Sequence, residues 1–207
     1  MDDKSLNIPF LLEKLSEKRP VFHSEADFQL ELGWLIKEYY PHATVRMEYC
    51  PAFDTGMHID ILVIINKKWI PIELKYKTKA CEITVDGELF HLKNHAAKNL
   101  NCYRYLYDIC RIEQVKNSVP ELFAEGYTVF ITNETGYQNP PRGNCYYEEF
   151  SVHETAVKTG TMRWIKTPDT KDIKESIKLQ GSYPIHWNSY STIDDQAFVC
   201  LVNAITK

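Results

Sequence analysis

The chain has 207 residues, 44% hydrophobic and 25% charged, with a formal net charge of −4. That composition is ordinary for a globular protein of one domain, with apolar residues enough for a real core. The slight acidic excess excludes a general nucleic-acid coat protein, in which one sign of charge dominates, and no apolar run approaches the ~18 residues of a membrane span.

The chain opens MDDKSLNIPF, acidic where a signal peptide is basic, and a cytoplasmic location is expected. The six cysteines form no C-x-x-C pair, so reduced thiols are expected rather than a zinc site.

Residues 5–18 read as an amphipathic helix with Leu6, Leu11, Leu12 and Leu15 on one face, closed at Arg19-Pro20. A second helix follows over residues 24–39. Ser24 is its N-cap, Asp27 completes a capping-box variant, and Pro41 stops it. Phe28, Leu32, Leu35 and Ile36 form its buried stripe. At ~100° per residue, Glu25 falls within ~30° of the middle of that stripe, whereas Glu31 lies ~90° away. Glu25 therefore points toward the core, although an acid in a first turn also favours the helix dipole.

Residues 43–50 read as a strand in which Val45, Met47 and Tyr49 alternate with Arg46, Glu48 and Cys50. A loop over 52–56 contains Asp54. Two strongly apolar strands follow, 58–65 and 69–76, joined by a turn at Asn66-Lys67-Lys68. Both are apolar on both faces, as central covered strands are. Each is broken by charge: Asp60 in the first, Glu73 and Lys75 in the second. Period-two alternation puts Glu73, Lys75, Lys77 and Lys79 on one face, and Ile72, Leu74 and Tyr76 on the other.

A hairpin with an Asp86-Gly87 turn is expected over 81–91, then a long helix over 94–115 and a short one over 120–125. Residues 127–132 read as a buried strand and 133–144 as a loop. Beyond it the chain is β-like at 145–152, 161–165, 177–179 and 187–190, with a polar segment at 166–176. Residues 198–205 fit a strand or a helix end. No repeat or domain boundary is visible: the chain reads as one domain, core about 20–135, with a β-rich addition about 145–207.

Charged side chains are seldom buried unless paired or bound to a metal. Asp60, Glu73, the Leu74 carbonyl and, from the helix, Glu25 are hard oxygen donors of the kind Mg²⁺ or Mn²⁺ takes while leaving room for water and phosphate. Lys75 is placed to orient a water or to stabilise phosphate charge. Crowded without a metal, the acids repel, and one is expected to keep its proton. The bland alternative is a buried Asp60–Lys75 or Glu73–Lys75 ion pair without catalysis. His91 and His95, four apart, lack a third ligand of recognisable spacing, and no G-x-G-x-x-G or Walker A segment is present.

The ordered set SEADFQ, GMHID and IELK resembles the PD-(D/E)xK, or restriction-endonuclease-like, nuclease superfamily, with His58-Ile59-Asp60 where a Pro-Asp pair is usual. The resemblance covers about residues 20–80. Segments RYLYDICRIE, YTVFITNETGY and, later, W-x2-YS look like a bacterial branch of it. It implies an α/β fold: an αβββαβ core with a mixed sheet flanked by helices. It also implies an Mg²⁺- or Mn²⁺-dependent hydrolase of phosphodiester bonds, with Glu25, Asp60, Glu73 and Lys75 catalytic. The metal would lie on Asp60, Glu73 and the Leu74 carbonyl, with Glu25 as a further ligand. Nucleic acid is the implied partner, DNA ahead of RNA; no membrane is implied, and a homodimer is open. By position, Asn99, Tyr103 and Arg104 would support the site, and Lys77 and Lys79 would meet the phosphate backbone. Other classes stay open: a silent nuclease-like domain that binds nucleic acid, or a protein-interaction scaffold whose charges are structural.

Overall fold

The computed structural model describes residues 5–171 and 173–207. Helix α1 (Ile8–Lys18) starts where the Asn7 side chain accepts the Phe10 N–H, and it buries Ile8, Leu11, Leu12 and Leu15. Helix α2 (Glu25–Tyr39) is capped by Ser24, whose side chain accepts the Asp27 N–H, and it buries Phe28, Leu32, Leu35 and Ile36. An antiparallel meander follows: β1 (Thr44–Tyr49), β2 (Ile59–Ile65) and β3 (Lys68–Tyr76). Lys68 belongs to the strand, opposite Ile65. The turn is thus the two residues Asn66 and Lys67, at φ of 50° and 65°, the left-handed pair that matches the twist of a tight hairpin.

The hairpin β4 (Cys81–Val85) and β5 (Glu88–Leu92) stands apart as a two-stranded sheet. Helix α3 (Lys98–Ser118) then crosses over to β6 (Glu125–Thr132), which pairs parallel with β3. After a second separate hairpin, β7 (Val157–Arg163) and β8 (Ser176–Pro184), strands β9 (Trp187–Ile193) and β10 (Gln196–Thr206) complete the main sheet. Its order is β1-β2-β3-β6-β10-β9. The element sequence from α2 to β6 is helix, three strands, helix, strand, with the β4–β5 hairpin inserted before α3.

Alternation sorts the sheet into two faces. Ile61, Val63, Ile72, Leu74, Val129 and Ile131 join the core under α1 and α2. Leu62, Phe130 and Leu201 join the core under α3 with Tyr105, Leu106, Ile109 and Ile112. Gly126 on β6 lies beneath α3: a Cβ there would collide with Ile112 Cγ2 and stand 3.2 Å from the Pro71 carbonyl oxygen.

Several expectations are corrected. Helix α3 begins at Lys98 rather than 94, because Ala97 is left-handed at φ 70°. Residues 120–125 form no helix. Their backbone is used by β3 instead: the Trp69 N–H donates to the Leu122 carbonyl and the Ala124 N–H to the Trp69 carbonyl. Residues 145–152 form no strand, only a 3-10 turn at Glu148–Phe150. Their apolar character comes from Phe150 and Val152, which pack into the core from a loop. The C-terminal run is a strand, β10, along the whole of β6. All six cysteines are free thiols, and among the described residues no helix is long and apolar enough to cross a membrane.

Candidate active site

Pairing between β2 and β3 runs as far as Ile61 opposite Ile72. One residue on, Asp60 and Glu73 stand where the ladder has ended. The Asp60 carboxylate turns inward and accepts the Leu74 N–H at 2.6 Å. Glu73 is only 1% exposed and faces α3, as does Lys75 two residues on.

Helix α3 answers both charges. Arg111 places one guanidinium nitrogen 3.2 Å from Glu73 Oε2, and its other donates to the His58 carbonyl. Asp108, buried, places Oδ2 2.5 Å from Lys75 Nζ, outside hydrogen-bond angles, and its Oδ1 lies 3.6 Å from Arg111. Lys75 Nζ also donates to the Leu74 carbonyl at 3.1 Å. The direct Asp60–Lys75 or Glu73–Lys75 ion pair, the bland alternative from sequence, is not the pairing found: Lys75 and Glu73 each take their partner from α3.

Helix α2 closes the other side. Glu25 Oε2 accepts the Tyr76 N–H and the Lys77 ammonium, each at 2.8 Å. One turn on, Gln29 Nε2 donates to the Asp60 carbonyl at 2.5 Å and to Glu48 at 2.9 Å. The helix therefore pins the end of β3 through Glu25 and the start of β2 through Gln29.

Three acids, the buried Glu73 and Asp108 and the half-buried Asp60, against two cations leave the cluster short of positive charge. Burial foremost raises the Asp60 pKa to about 6, with Lys75 and the Leu74 N–H pulling the other way and Asp108 and Glu25 adding to the rise. Burial, then repulsion from Asp108 and Asp60, holds Glu73 well above the usual carboxylate range despite Arg111. Asp108 is raised too, chiefly by burial. Burial alone would lower the Lys75 pKa, but Asp108, Glu25 and Asp60 outweigh it and raise it. An ammonium held this firmly keeps its proton and does not act as a general base; its chemistry is that of a fixed positive charge.

The cluster opens on a polar cleft of about 540 Å³ lined by Asp60, His58, Arg111, Tyr107, Gln114 and Asp54. A larger, mostly apolar groove of about 730 Å³ between α1 and the β9–β10 edge touches none of these charges.

The remaining sequence candidates scatter. Lys77 is engaged by Glu25, and Lys79 is exposed. Asn99 is half-buried and Arg104 exposed, both on α3. Tyr103 is 1% exposed, packs on Phe150 and Trp164, and accepts the Lys174 N–H, so its ring lies in the core under α3. His95 accepts the Thr78 N–H at 3.0 Å, and His91 pairs with Glu82. Among the described residues, no group of three or more His, Cys, Asp or Glu side chains converges as a metal cage.

Asp108, Arg111 and Gln29 were not singled out from sequence. Gln29 stood one helical turn from a usable signal, four residues after Glu25; Asp108 and Arg111 lie three apart on a helix that also buries Asn101 and Glu113, so neither stood out. Set against family models, curated proteins and solved structures, the chain matches none.

Proposed function

We propose that this protein is a divalent-metal-dependent nuclease of the PD-(D/E)xK kind, hydrolysing phosphodiester bonds, with DNA ahead of RNA as substrate. One observation carries the reading: Asp60 on one strand, and Glu73 and Lys75 on the next, flank the main chain of Leu74 where the β2–β3 ladder stops, beside an open polar cleft. The order α2, β1, β2, β3, α3, β6, with β6 parallel to β3, supports the αβββαβ core that the resemblance implies.

The donor set suits Mg²⁺ or Mn²⁺ in kind. The Asp60 and Glu73 carboxylates and the Leu74 carbonyl are hard oxygens, and the excess of buried negative charge favours a further cation. Such an ion, when bound, lowers the pKa of a water and neutralises phosphate charge. The chain's own residues do the rest. Lys75, held cationic by Asp108, stabilises negative charge on the phosphate. Glu25 and Gln29 hold the two strand ends in register.

Relaxation of supercoiled plasmid, and degradation of single-stranded DNA and RNA, in Mg²⁺ or Mn²⁺ test this directly. Activity is expected to vanish in Asp60→Asn, Glu73→Gln and Lys75→Ala; cleavage that survives all three variants would overturn the reading. A second reading has its own observation: Glu73–Arg111 and Lys75–Asp108 are complete pairs without a metal. A silent domain that binds nucleic acid predicts gel-shift binding with no cleavage under any divalent ion.

A further inference from the structure

Arg111 spans the buried end of the site and the open cleft. Its guanidinium lies 3.2 Å from Glu73, meets the His58 carbonyl, and lines the cleft with Asp60 and Tyr107 while its side chain keeps 20% exposure. Lys75 is already taken by Asp108 at 2.5 Å, so Arg111 is the cation in contact with the Glu73 carboxylate. A carboxylate as buried as Glu73 requires such a counter-charge. A divalent ion on Asp60 and Glu73 would meet the same requirement, and two cations repel at one carboxylate edge.

We infer that Arg111 is a built-in competitor for the site's cation: it neutralises Glu73 in the metal-free protein, is displaced when a divalent ion binds, and then offers its guanidinium to a substrate phosphate in the cleft. The inference rests on the metal-dependent reading above. The cleft supports the second half, since a planar guanidinium grips phosphate through paired hydrogen bonds, and the exposed part of Arg111 already faces that space. Arg111 becomes a substrate-binding residue whose availability depends on the metal.

Calorimetric titration with Mn²⁺ tests this in wild type, Asp60→Asn and Arg111→Gln. Wild type is expected to give binding heat that Asp60→Asn abolishes, and Arg111→Gln to bind at least about tenfold tighter, a competitor having been removed. Equal or weaker binding by Arg111→Gln overturns the inference and leaves the metal site standing. No heat in either wild type or Arg111→Gln overturns the metal-dependent reading itself. Should Arg111→Gln fail to fold, side-chain NMR of the wild type decides: the Arg111 Nε–H resonance should shift on Mg²⁺ titration, and a resonance unmoved at saturation overturns displacement. For the phosphate half, Arg111→Gln should weaken oligonucleotide binding in Ca²⁺ but not in chelator. Equal weakening in both would place Arg111 on the substrate whether or not metal is bound, and refute the exchange.

Discussion

Two buried glutamates lie on or against the same helix, and they are built differently. Glu113, on α3, is 3% exposed and accepts only neutral donors: the N–H groups of Gln180 and Gly181 and the Tyr183 hydroxyl, at 2.7–2.9 Å. It fastens α3 to β8. Glu73, under α3, is as buried but has one charged donor, Arg111, with Asp60 and Asp108 close enough to repel it. Fixed neutral donors make a buried charge a rivet; an excess of acids leaves one able to take up a proton or an ion. Burial alone does not separate the two, whereas the nature of the donors does.

The sharpest test is to neutralise each in turn. Glu73→Gln should reduce metal-dependent cleavage by about 10²–10³-fold or more while leaving the melting temperature unchanged or higher, because a repelled charge is removed. Glu113→Ala should do the reverse: it strands the 180–181 N–H groups and costs about 2–4 kcal/mol in urea unfolding, with activity per folded molecule retained. An activity loss in Glu113→Ala larger than its unfolded fraction explains would break the distinction. Asp108→Asn comes next, at about 1–3 kcal/mol. It weakens the hold on the half-buried Lys75, so cleavage should fall and gain a new basic limb in its pH profile as the Lys75 pKa drops.

The smallest effect is a pH dependence of stability. The Asp60 pKa is raised to about 6 in the folded chain from an ordinary value of 3.8. Between those values the folded state binds more protons than the unfolded one. Unfolding free energy should therefore rise as pH falls through about 6 toward about 4, by at most about 3 kcal/mol from this group and by less for a carboxyl at a cleft. Asp60→Asn should remove that share of the slope and raise stability at pH above 7. A wild-type slope of opposite sign over this range would contradict the charge excess assigned to the cluster.

Much of the fold was legible in the sequence because it follows from periodicity. The alternation in 58–76 put Glu73 and Lys75 on one face of their strand, and the helix stripe of α2 turned Glu25 toward the sheet; that Asp60 and Glu73 stand where the ladder ends is seen only in the pairing. What the sequence hid were pairings across elements. Nothing local marks Asp108 as the partner of Lys75, since the two are joined only when α3 lies across β3. The burial of Tyr103 was hidden for a related reason: its ring neighbours Phe150 and Trp164 arrive from far along the chain. The left-handed Ala97 likewise shortened α3 without a glycine to announce it.

Gly126 extends the site's reach in another sense. With hydrogen alone on its Cα, β6 lets Ile112 of α3 settle against the backbone, and Ile112 is the residue after Arg111. A single methyl at 126 would act as a shim, lifting the helix that carries Asp108 and Arg111 while every charge stayed where the sequence put it. The 3.2 Å contact of Arg111 with Glu73 would lengthen first. Control of the site's electrostatics thus sits partly at a residue that bears no side chain, on the strand beside β3.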